Sequence, residues 1–123
     1  MTSLLLLSLA GIYRPYLECE GFEPKTQIEV MQNITPADGL PLYSFNMIKR
    51  SRGKFTRVRD LGADRVPTKR KQVIEVIAAT NQKGVLDYEL MVFNRETDDG
   101  YVAQLIDHEA TTTVFCNYLI TEN

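Results

Sequence analysis

Few side chains in this 123-residue sequence are suited to chemistry, and their spacing narrows what that chemistry is. His108 is the only histidine, which excludes a zinc cluster built on several imidazoles. A Ser-His-Asp or Cys-His arrangement would have to form around this one residue. It stands between Asp107 and Glu109, in a stretch that reads as a solvated turn. Glu89, Asp107 and Glu109 supply carboxylates, yet their spacing sets no two of them at the separation that paired acid-base catalysis needs. No Gly-rich phosphate loop, Walker sequence or Cys-x-x-Cys occurs. The expectation is a protein that is not an enzyme and carries no organic cofactor.

Two other groupings have binding rather than catalytic character. Asn94 to Gly100 places oxygen ligands at alternate positions, with Glu96, Asp98 and Asp99 as candidates for calcium. It is not an EF-hand, because the glycine comes one place late and Leu105 stands where a bidentate Glu is required. A hydrated hairpin turn explains the same residues. Lys49, Arg50, Arg52, Lys54, Arg57 and Arg59 surround Phe55 in a pattern that could follow a nucleic-acid backbone while the ring stacks on a base. Against this alternative, a small β-barrel nucleic-acid binder using residues 49–59, stand the net charge of −2 and the simpler role of a solubilising hairpin tip.

These groups must be positioned by strands. Leu86, Tyr88, Leu90 and Val92 alternate with Asp87, Glu89, Met91 and Phe93, a period of two that suits a strand. The polar stretch Arg95 to Gly100 reverses the chain, and Tyr101 to Ile106 returns, giving a hairpin whose apolar face needs further strands to cover it. Gln27 to Ile34 is a further strand, and Leu42 to Lys49, turned by Arg50-Ser51-Arg52-Gly53, pairs with Lys54 to Leu61. Gly62 to Thr68, with Pro67, should break that strand. Lys71 to Thr80 fits a helical face through Val73, Val76 and Ile77, and a strand through Val73, Glu75 and Ile77; its β-branched content favours the strand. Thr112 to Ile120 is the last. The expected fold is mainly β: an antiparallel curved sheet, sandwich or partly open barrel of about seven strands.

The length suits one domain, over residues 12–123, that buries roughly two thirds of its unfolded surface. Charge is polarised along it: ten of the fourteen Lys and Arg lie between Lys49 and Lys71, while from Asp87 onward Arg95 is the only base. Residues 1–11 open an apolar run, Leu4 to Ile12, too short to span a bilayer and of the size of a signal-peptide core. Ser8-Leu9-Ala10 offers small residues for cleavage, although no base precedes the leucines, and a first buried strand or helix is the other reading. Asn33-Ile34-Thr35 is a glycosylation acceptor. Cys19 and Cys116 form either one bridge or two buried thiols.

Several of these segments resemble ependymin-related proteins, a family of secreted or lysosomal glycoproteins. Tyr43-Ser44-Phe45 followed by Arg57-Val58-Arg59 is similar to the family's paired strands, and Val66-Pro67-Thr68-Lys69-Arg70 to its apolar-Pro-Cys-Lys-Arg segment, with Thr68 in place of the cysteine. Tyr88 to Phe93, Gly100, Gln104-Leu105-Ile106-Asp107 and Cys116 follow the family's order, and Cys19 resembles the first cysteine of its mature chain. Lys71 to Val85 looks like an insertion, the gap from Asp107 to Cys116 is long, and the family continues where this sequence stops. The resemblance implies a β fold with an apolar pocket for a hydrophobic small molecule or lipid, together with homodimerisation and calcium binding. With the apolar strand faces, it nominates Tyr43, Phe45, Met47, Leu86, Tyr88, Leu90 and Val92 as ligand-binding, although the same side chains serve equally as core.

Overall fold

The computed structural model describes residues 6–8, 11–35 and 40–119. Nine strands follow one another: β1 Leu6–Ser8, β2 Gly11–Phe22, β3 Lys25–Asn33, β4 Tyr43–Ser51, β5 Lys54–Val66, β6 Val73–Thr80, β7 Leu86–Thr97, β8 Gly100–Ile106 and β9 Thr111–Tyr118. Among the described residues there is no helix, and so none long and apolar enough to cross a membrane. Each strand is antiparallel to the next, and β9 also pairs with β2, from Leu17 opposite Tyr118 to Glu20 opposite Phe115. Strands β2 to β9 therefore close an eight-stranded up-and-down barrel. β1 lies outside this ring as an extra strand on the start of β2.

Alternation explains the closure. Every strand of the ring carries an apolar row on one face, and a ring of eight strands is just wide enough for such rows to fill its inside. Leu17, Cys19, Ile28, Val30, Phe45, Ile77, Leu90, Val92, Leu105 and Val114 are at most 2% exposed and form one cluster in the lumen. The hairpin turns fit their geometry. Arg52 and Gly53, with φ of 51° and 77°, join β4 to β5 in the twist that two-residue hairpins prefer. Gly100, at φ 125°, sits where an added Cβ would lie 2.7 Å from the Cys116 carbonyl oxygen, so the turn after β7 requires glycine.

Several expectations need correcting. β5 is not broken at Gly62: it runs to Val66, because a bulge opposite Asn46, with Asp60 at φ 52°, absorbs the irregularity and keeps both Val58 and Leu61 packed against the core. β7 continues through Arg95, Glu96 and Thr97, so the turn is only Asp98-Asp99. The strand expected over Lys71 to Thr80, by contrast, is present as β6, from Val73 to Thr80. β2 had no strand signal of its own, since Pro15 interrupts it and its apolar start merges with the leucine run; a bulge between Pro15 and Leu17 accommodates the proline. Of the apolar run, Leu6–Ser8 forms β1, while Leu4, Leu5, Leu9 and Ala10 lie outside the described residues.

The two cysteines form a disulfide. Cys19 and Cys116 are direct register partners on β2 and β9, so the bridge stitches the seam where the barrel closes. Such bonds form and persist in oxidising compartments. With the cysteines 97 positions apart in sequence, replacing both by Ala should cost about 4 to 5 kcal/mol through the freed unfolded chain. Urea unfolding of C19A/C116A checks this: an unchanged midpoint would show that the seam holds without the bond.

Candidate functional site

The two ends of the barrel differ. Up-and-down order places the β2–β3, β4–β5, β6–β7 and β8–β9 turns at one end, here called upper, and the 34–42, 67–72 and 98–99 connections at the other. The lower end is plugged by one buried carboxylate. Glu75 Oε2 accepts hydrogen bonds from the hydroxyls of Tyr16 at 2.7 Å and Tyr118 at 2.5 Å. Its Oε1 accepts from Tyr43 and from Arg65 Nε, each at 3.3 Å, and Arg65 Nη2 also donates to the Tyr43 hydroxyl at 2.7 Å. Tyr16 packs on Tyr43 and Tyr118 with ring centroids 5.1 and 5.4 Å apart. Burial foremost, and then the Glu75 carboxylate, push all three phenols above their ordinary pKa, so they remain donors at any physiological pH.

The upper end is open. A cavity of about 950 Å³ lies there, floored by Met47 and Tyr88, and beneath it Phe45 stacks on Tyr88 with centroids 5.4 Å apart. One wall is basic, with Lys49, Arg52 and Lys54 from the β4–β5 hairpin; the facing wall is acidic, with Asp87, Asp107 and Glu109. Lys49 donates to Asp107 Oδ2 at 3.2 Å, a strut across the mouth. Burial alone would raise the Asp107 pKa. The backbone N–H groups of Glu109 and Ala110, at 2.7 and 2.8 Å, together with Lys49, more than reverse this and hold it below the usual carboxylate range. Burial raises the Tyr88 pKa, and the neighbouring Asp107, Asp87 and Glu109 add to it.

The residues expected to bind a ligand are therefore divided. Met47 and Tyr88 line the mouth. Phe45, Leu90 and Val92 are packed core, and Tyr43 belongs to the lower plug. Leu86 departs from the inward row: it stands exposed at the start of β7, after the irregularity between Ala79 and Thr80. Lys49 leaves the basic row and turns inward, whereas Arg50 and Arg57 lie over Phe55 at 5.4 and 5.8 Å. Glu96, Asp98 and Asp99 are not gathered; Thr97 Oγ instead accepts from Asp99 N–H and donates to Gly100 O. Among the described residues no three His, Cys, Asp or Glu side chains converge on a point that could hold a metal. His108 is exposed and faces Asp87 Oδ1 at 3.4 Å; Ser51 lines the same cavity but makes no hydrogen bond to it. Asn33 Oδ1 accepts from the Thr35 N–H and hydroxyl at 2.9 and 2.8 Å, at the lower end.

The Glu75 cluster and the Lys49–Asp107 strut were not evident from sequence. The one available signal was Glu75 between Val73 and Ile77, a charge on the inward row of a strand, which demands buried partners. Comparison with known protein families, with curated proteins and with solved structures finds no match.

Two outcomes follow from this geometry. Glu75→Ala leaves three hydroxyls and a guanidinium without their acceptor and should cost roughly 3 kcal/mol or more, against about 1 kcal/mol for Tyr118→Phe, which removes one donor. Equal losses in urea unfolding would contradict the shared-acceptor arrangement. Because the folded pKa of Asp107 is depressed, its contribution to stability is complete above the unfolded value of about 3.9 and is lost as pH falls through the folded one. Asp107→Ala should thus lower stability by about 1 to 2 kcal/mol at pH 7 and flatten the decline below pH 4, read from unfolding midpoints across pH.

Proposed function

We propose that this chain is a carrier of small amphiphilic molecules, bound in the upper mouth of the barrel. The observation that carries the reading is the cavity of about 950 Å³ over Met47 and Tyr88, in a barrel whose lumen below is filled and whose other end is plugged. Its size is in the range of small-molecule sites. The apolar floor suits a short hydrocarbon segment, and the facing basic and acidic walls suit a head group carrying both charges, such as that of a single-chain zwitterionic lipid. The deep strand faces nominated from sequence are core in this reading, and the ligand is shallower and more polar than a buried fatty acid.

In this reading the two cysteines serve the scaffold as a bridge, and His108, facing Asp87, belongs to the acidic wall of the mouth. The disulfide supports a secreted or lysosomal setting, in which Asn33 would be an acceptor for glycan. The segmental likeness to ependymin-related proteins supports the same ligand class, and with it a homodimer.

Fluorescence titration with a labelled lysophosphatidylcholine, below its micelle concentration, tests the reading. Saturable binding is expected, reduced about tenfold by R52E/K54E, a charge reversal of roughly 1.4 kcal/mol at exposed positions, and reduced likewise by Tyr88→Ala. Binding that neither change affects would place the ligand elsewhere.

A further inference from the structure

We infer that the upper end of the barrel docks on an anionic membrane surface, with the phenylalanine tips of its hairpins entering the interface and their bases meeting lipid phosphates. Three successive upper turns expose large apolar side chains. The β2–β3 turn presents Phe22, 58% exposed; the β4–β5 hairpin presents Phe55, 51% exposed; and the β6–β7 turn presents Val85 and Leu86, 49% and 44% exposed. Together they form an arc around the mouth, since these turns follow one another around the ring.

Each of these turns also carries bases. Lys25 stands opposite Arg50 across β3 and β4, a like-charge pair that costs stability within the fold and gains from an anionic partner. Arg50 and Arg57 flank Phe55, Arg52 and Lys54 are exposed at the same tip, and Lys83 is exposed in the β6–β7 turn. None of these six bases has a carboxylate within salt-bridge distance among the described residues, whereas Asp107 and Asp87 at this end face Lys49 and His108. Glu23 and Glu109 are the acids left over in the upper turns.

A chain of net charge −2 thus concentrates unpaired positive charge around exposed rings at the end where its cavity opens. Bases beside interfacial aromatics are what an anionic bilayer attracts. Single-stranded nucleic acid fits less well. The Phe55 ring already has two guanidiniums near it, those of Arg50 and Arg57, and base stacking gives no role to Phe22, Val85 or Leu86. The docking surface does not depend on which ligand the mouth holds.

The chain has no tryptophan, so Phe55→Trp creates a single reporter at the proposed depth. With vesicles of phosphatidylcholine and phosphatidylserine, its emission should shift to the blue and be quenched by brominated acyl chains, and flotation should show binding that weakens with salt. R50Q/R57Q should weaken that binding about twenty-five-fold at low salt, roughly fivefold per base. The matched change K69Q/K71Q, in the lower β5–β6 connection, should leave it unaltered. Far-UV circular dichroism confirms folding of each variant. No binding to anionic vesicles, no quenching of Trp at position 55, or equal losses in the two double variants would each overturn the inference. Salt-sensitive binding of oligodeoxythymidine by a protein that ignores vesicles would reassign the surface to nucleic acid.

Discussion

A carboxylate taken out of water has to be met by donors, and in this molecule Glu75 is met from four strands other than its own. Tyr16 comes from β2, Tyr43 from β4, Arg65 from β5 and Tyr118 from β9, all onto a residue of β6. A flat sheet would hold these five strands apart, because β6 lies three strands from β9 and four from β2 in the ladder; curling the sheet until β9 meets β2 brings them to one point. Curvature is therefore a condition for satisfying the charge. No buried side-chain nitrogen or oxygen among the described residues is left without a partner, so the condition is met.

The same cluster divides the barrel along its axis. Aromatic rings and a guanidinium fill the lower end, aliphatic side chains fill the middle, and the mouth holds Lys49 and Asp107 as a strut with space around it. The disulfide acts at right angles to this division, locking the β2–β9 seam. A plugged wall below and hairpin tips above is an arrangement in which binding groups are displayed on turns while the scaffold holds them. It also explains the uneven charge of the sequence, since the basic stretch from Lys49 to Arg59 is one hairpin at the open end.

How legible this was depended on whether a residue's neighbours were local. Strands β3, β4, β5, β7, β8 and β9 were visible because alternation is a local signal, and the Arg52-Gly53 turn because its dihedrals select its residues. β2 was hidden by Pro15 and by the leucines before it. The mouth was only partly legible: Met47 and Tyr88 follow from inward alternation, but the Lys49–Asp107 pair joins residues 58 apart in sequence, and no period reports such a contact. For the same reason, alternation alone could not tell Tyr43 in the plug from Tyr88 in the mouth, as both stand on inward rows.

The central claim is that the barrel has one open end, above Met47. Methyl NMR reads this directly, because Met31 and Met91 sit on the outer rows of β3 and β7 while Met47 floors the cavity. With methyl-labelled methionine and a monomeric zwitterionic lysolipid, the Met47 resonance should move on titration while those of Met31 and Met91 stay in place. Movement of Met31 or Met91 with Met47 unchanged would show that the ligand rests on the outer wall, and would contradict the account.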